Sequence, residues 1–95
     1  VTNRSYRIGR NFEYKVKKMF EDCGCLVWRL PKSKFPDLII WVPDDKRLIG
    51  VECKVNKYLS KKEKKLANEL IKKKIIFRVA YREGRRIKWW SGNIR

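Results

Sequence analysis

The chain has 95 residues, with 26 Lys and Arg against 10 Asp and Glu, for a formal net charge of +16. That length allows one domain with a modest core, and no apolar stretch reaches the ~20 residues that a bilayer span needs. There is no His, which excludes a His-based triad or a His general base, and the positive excess points to a polyanionic partner, nucleic acid first.

Phe12, Val16, Met19, Phe20 and Cys23 recur at helical spacing, with Ile8 one turn earlier and Gly24 as a stop. The pattern predicts a helix over 5–23. The apolar run 25–30 reads as a strand, and Pro31-Lys32-Ser33-Lys34-Phe35-Pro36 as a basic loop. A second strand follows over 37–42, turn residues over 43–46, and a third strand over 48–55, so these two strands form a hairpin. Ser60-Lys61-Lys62-Glu63 has the capping-box pattern, and the helix it opens carries Leu66, Ala67, Leu70 and Ile71 on its apolar face. Its other face is rich in lysine. A fourth strand over 75–82, a turn at Glu83-Gly84-Arg85 and a fifth strand over 86–90 complete the order, with 91–95 as a frayed tail. The crossover helix predicts that strands three and four are parallel. The expected fold is α/β, a mixed sheet flanked by helices in the order α-β-β-β-α-β-β, making a single domain over 1–95.

Residues 1–10 are polar and carry three Arg with no apolar segment, so no secretory signal is expected and a cytoplasmic, DNA-associated location is. An anionic membrane is a weaker partner than nucleic acid, because the basic residues form no single amphipathic anchor. A Lys-rich thermophilic surface explains the lysines but not the shortage of balancing acids. Three cysteines, Cys23, Cys25 and Cys53, do not suggest a disulfide framework, and their spacing without His does not suit zinc. Chemistry must then run on carboxylates, lysines and a metal.

The third strand carries the strongest signal. Ile49, Val51, Cys53 and Val55 point to one face, and Gly50, Glu52 and Lys54 to the other. A carboxylate and an ammonium on an otherwise apolar strand cost several kcal/mol each when buried unless they pair or bind something. Taken alone, a plain Glu52–Lys54 ion pair is the simpler account. Pro36-Asp37 leads directly into the second strand, which places Asp37 at a strand mouth, where it is otherwise an ordinary turn residue. Adjacent strands lie about 4.8 Å apart, so Asp37 and Glu52 repel unless one is protonated or a cation lies between them. A hard divalent cation with oxygen ligands fits, with Lys54 beside it to hold water or offset charge on a phosphate.

Pro36-Asp37 followed by Glu52-Cys53-Lys54 resembles the signature of the PD-(D/E)xK nuclease superfamily, whose restriction-endonuclease-like sheet has this element order. Within it, Gly9-Arg10-Asn11-Phe12-Glu13 and the Arg29-to-Ser33 segment resemble the archaeal Holliday junction resolvases, cellular and viral. The resemblance implies a homodimer that cuts four-way DNA junctions with Mg²⁺, with Mn²⁺ as a substitute. It implies that Glu13, Asp37 and Glu52 hold metal, helped by the backbone carbonyl of Cys53, and that Lys54 is the catalytic lysine. Arg10, Arg29, Lys32, Ser33 and Lys34 become candidate DNA contacts. Glu13 also has a bland account, since acids early in a helix are favoured by its dipole. Trp28, Trp41, Trp89 and Trp90 are read as core or interface residues; one of the consecutive pair must face outward and is a candidate dimer anchor. Two alternatives stand beside the resolvase: another nickase or repair nuclease on the same scaffold, and a non-catalytic basic DNA-binding protein.

Overall fold

A computed structural model describes residues 4–90, apart from the side chain of Ser5; the tail expected over 91–95 lies outside them. The elements follow the expected order: α1 (Arg4–Asp22), β1 (Leu26–Arg29), β2 (Leu38–Val42), β3 (Arg47–Lys54), α2 (Lys61–Lys72), β4 (Ile76–Glu83) and β5 (Arg86–Trp90). The strands lie side by side in that order as one five-stranded sheet. All neighbours are antiparallel except β3 and β4, which are parallel, as the α2 crossover requires.

Both helices stop through the same device. At the end of α1, Cys25 N–H donates to Phe20 O and Gly24 N–H to Glu21 O, with Gly24 at φ +88°. At the end of α2, Ile75 N–H donates to Leu70 O and Lys74 N–H to Ile71 O, with Lys74 at φ +67°. These are Schellman closures, and the second places a lysine where glycine is least strained.

The two sheet faces carry separate cores. Phe12 and Val16 of α1 pack with Leu38, Ile40, Val51 and Ala80. Ala67 of α2 packs with Leu59, Phe77 and Val79, with Leu70 and Phe35 against them. The central strand β3 is therefore covered on both sides, and its alternating side chains serve different helices.

Two expectations need correction. Val55 lies beyond β3 and is exposed, because the strand ends at Lys54. The apolar stripe of α2 is narrower than its sequence suggests: Leu66 and Ile71 are exposed, since the helix meets the sheet along the line of Ala67 and Leu70. Trp28, placed in core or interface by its type, is half exposed on the edge strand β1. Trp89 is the more exposed of its pair, yet it lies edge-on to Phe20 with ring centroids 5.4 Å apart, while Trp90 packs on the α2 side.

Candidate active site

The site forms where β2 begins beside β3. Leu38 pairs with Val51, which sets Asp37 level with Glu52. Pro36, fully buried, packs against Gly50 so closely that a Cβ there would lie 3.1 Å from Pro36 Cγ. That contact fixes the entry to β2 and hence Asp37. Asp37 N–H donates to Glu52 Oε1 at 3.1 Å, and Cys53 N–H donates to Asp37 Oδ2 at 2.8 Å. Each carboxylate is thus held by the backbone of the other segment.

Holding them there is electrostatically unfavourable. Glu52 is only 6% exposed. Burial, and then the facing Asp37, push its carboxyl up to about 9, and Lys54 offsets this only in part. Burial also raises Asp37, against the lowering effect of the Cys53 N–H. A buried and a half-buried carboxylate that resist joint ionisation make an oxygen donor pair suited to a hard divalent cation, which relieves the repulsion. The thiol of Cys53 does not contribute a thiolate, since burial and the neighbouring acids raise it far above its ordinary value. Among the described residues, no three acid or thiol side chains converge closely enough to enclose an ion. A hard divalent cation held by one or two carboxylates completes its shell with water and other oxygen ligands.

Lys54, the last residue of β3, points to the α2 side with Glu52. Its Nζ lies 3.7 Å from Glu52 Oε2 and 2.5 Å from Glu63 Oε2. Glu63 is drawn down to about 2: burial opposes its ionisation, but the hydrogen bonds from Lys54 and the Ser60 N–H prevail. The sequence pattern assigns Glu63 to the capping box, a role it does fill. Nothing in that pattern reveals its second contact, which depends on how α2 lies on the sheet.

Glu13 of α1 faces the same hollow but is not gathered with the acid pair. It is ion-paired and hydrogen-bonded to Arg29 at the end of β1, and that hydrogen bond raises the guanidinium further. Tyr14 lies under Arg29 and Arg10, whose guanidinium carbons are 5.2 and 5.5 Å from its ring centroid. Lys32 Nζ is 3.7 Å from the centroid of Tyr6. The two tyrosines hold three of the candidate DNA contacts at the hollow's rim. Helical spacing alone leaves them as surface aromatics: Arg10 lies one turn before Tyr14 on α1, but Arg29 and Lys32 come from other segments.

Asp37 and Glu52 stand on the crest between two grooves. One, of about 260 Å³, is lined by Arg10, Glu13, Arg29, Lys32, Cys53 and Lys54 along with the pair. The other, of about 840 Å³, runs past Lys32, Ser33 and Lys34 of the 31–36 loop and Lys62 of α2. Lys32 lines both. Lys62 was not singled out by sequence, being one lysine among many.

The mixed sheet with its flanking helices has the restriction-endonuclease-like arrangement. Among solved structures, the chain is similar to Hjc, a Holliday junction resolvase from the archaeal hyperthermophile Archaeoglobus fulgidus, with a TM-score of 0.72 and 19% identity over 88% of this chain and 77% of that one. At that identity the likeness establishes a shared fold. No family model and no curated protein matches the chain by sequence.

Proposed function

We propose that the chain is a divalent-metal-dependent DNA endonuclease that resolves four-way junctions by paired phosphodiester cleavage, acting as a homodimer. The observation that carries the chemistry is the pairing of half-buried Asp37 with buried Glu52, with Lys54 beside them, at the crest between two grooves with basic walls. The junction preference is supported by the fold shared with a Holliday junction resolvase.

Asp37 and Glu52 would hold the ion, and Glu13, whose Oε1 accepts from Arg29, would join them through its other oxygen. When bound, the ion supplies positive charge to the phosphoryl oxygens of a scissile phosphodiester. Hydrolysis forms a P–O bond to the oxygen of water and breaks the P–O bond to the leaving sugar oxygen. Lys54 is placed to orient that water or to offset charge building on the phosphate. Arg10, Arg29, Lys32 and Lys34 along the grooves, with the lysines of α2, would neutralise phosphates on either side of the cut, and the Ser33 hydroxyl would donate a hydrogen bond to one. None of these contacts reads bases, so selectivity must come from DNA shape.

The test uses labelled four-way junction and matched duplex at physiological salt, with Mg²⁺ or with EDTA. Wild-type protein should cut the junction by paired nicks in Mg²⁺ only, and excess unlabelled duplex should compete poorly. Asp37→Asn and Glu52→Gln should bind the junction at least as tightly and leave it intact. Equal cutting of duplex replaces the resolvase with a general nickase or repair nuclease, and tight binding with no cutting leaves a DNA-binding protein. Sedimentation at micromolar protein should give twice the 11.5 kDa chain mass.

A further inference from the structure

Glu63 uses its two carboxylate oxygens for different purposes. Oε1 accepts from Ser60 N–H at 2.8 Å, while Ser60 Oγ accepts from Glu63 N–H at 3.1 Å, which closes the capping box. Oε2 leaves the helix and accepts from Lys54 Nζ at 2.5 Å. Glu52 is the more distant partner of that ammonium, at 3.7 Å. Both members of the Lys54–Glu63 pair are largely shielded from water, at 24% and 22% side-chain exposure. The lysine is therefore docked on α2 first and on the neighbouring site acid second.

We propose that Glu63 is a positioning residue: it holds the Lys54 ammonium beside the acid pair whatever Glu52 is bound to. The proposal rests on reading the site as a phosphodiester-hydrolysing centre. A lysine side chain is a flexible four-carbon stem with a large rotamer entropy, so a single surface-like contact fixes it poorly. Glu52 alone is an unsuitable tether, because its charge is the one that a divalent cation would draw away. Glu63 also lies against Glu52, but its Oε2 is the nearer partner of Lys54, and the capping box fixes its rotamer against the helix start. One acid thus ties the placement of α2 to the placement of Lys54.

A capping role alone makes a separate prediction. Gln completes a capping box as Glu does, so Glu63→Gln would be silent and Ser60→Ala harmful to stability only. The two variants are compared with wild type by acetylating all lysines competitively and following each by mass spectrometry, in EDTA. Lys54 should be labelled slowly in wild type and in Ser60→Ala, and at least about fivefold faster in Glu63→Gln. Single-turnover cleavage of the junction at saturating DNA should fall about tenfold or more in Glu63→Gln, with melting temperature and DNA affinity nearly unchanged. The same substitution made in a Lys54→Ala background should add no further loss, since Glu63 acts through that lysine. Unchanged Lys54 labelling in Glu63→Gln overturns the tether. A raised Mg²⁺ requirement without faster labelling also overturns it and makes Glu63 an ion ligand. If wild type cuts no DNA, the nuclease reading fails and the catalytic purpose with it, while the labelling still shows whether the tether exists.

Discussion

The Asp37–Glu52 pair should make the metal-free protein less stable than a variant that cannot work. In Glu52→Gln the amide oxygen can still accept the Asp37 N–H, and Lys54 keeps Glu63 as its partner, so the substitution removes charge and little else. Two carboxylates on paired strands about 4.8 Å apart, at an effective dielectric of 20, repel by roughly 3 kcal/mol. The sign follows from the raised Glu52 carboxyl, at about 9 in the fold against an ordinary 4.5. The folded chain keeps a proton that the unfolded chain releases. The Glu52 contribution to wild-type stability is therefore full below about pH 4.5 and is lost as pH rises toward 9, while Glu52→Gln lacks that loss. The variant's advantage should be small at pH 5 and reach about 2–3 kcal/mol near pH 8, on the order of 10 °C in melting temperature for a domain of this size. The assay is thermal unfolding by circular dichroism in EDTA across that pH range. Millimolar Mg²⁺ should then raise the wild-type midpoint and leave the variant's unchanged. A variant that melts below wild type at every pH would refute the reasoning, because the pair would then be a net stabilising contact.

Three further outcomes follow from particular contacts. Lys54→Ala should lower the single-turnover rate at least about a hundredfold with a much smaller change in DNA affinity, measured by filter binding beside quenched-flow cleavage; affinity and rate falling together would make Lys54 only a phosphate contact. Gly50→Ala places a Cβ 3.1 Å from the fully buried Pro36, so it should cost about 1–3 kcal/mol in denaturant unfolding and slow cleavage more than it weakens binding, through displacement of Asp37. Lys74→Gly should gain up to about 1 kcal/mol in the same unfolding assay by relieving the φ of +67°, and a loss of stability would show that the lysine side chain has a compensating contact.

Much of the fold was legible because local patterns and tertiary demands agree. The period of Phe12, Val16 and Phe20 gives α1, and the α2 crossover gives the one parallel pair. Element ends moved by a residue where a side chain replaced a ladder bond: Asp37 lies outside β2 because its carboxylate, not its backbone, takes the Cys53 N–H. Within the site, Asp37, Glu52 and Lys54 were visible because a charged pair on an apolar strand is a conflict that calls for explanation. Glu63 raised no such conflict. The capping box accounted for it completely, and its contact with Lys54 joins two elements whose relative placement no local pattern encodes. The same holds for Glu13, whose partner Arg29 lies across a turn on another element.

The distribution of acids favours the proposed catalyst over a protein that only binds DNA. The chain has only 10 acids in 95 residues, yet Asp37 and Glu52 face each other, Glu63 reaches Lys54 beside them, and Glu13 faces the same hollow. A protein selected only to hold phosphates gains from each lysine and loses from each acid set among them. These acids also sit where the fold makes them most costly. Glu52 is on the central strand, covered on both faces, and β2 and β4 fix its backbone from either side. That placement gives one rigid carboxylate. Asp37 supplies the other from just outside β2, where its side chain can reach across to β3. Each groove brings cations to this crest from different elements, α1 and β1 on one side and α2 on the other, with the 31–36 loop shared. Under the proposed function, a phosphate drawn along either groove by lysine and arginine would arrive at the Asp37–Glu52 pair. Repulsion there opposes plain binding and becomes useful only when a cation lies between the carboxylates and the phosphate.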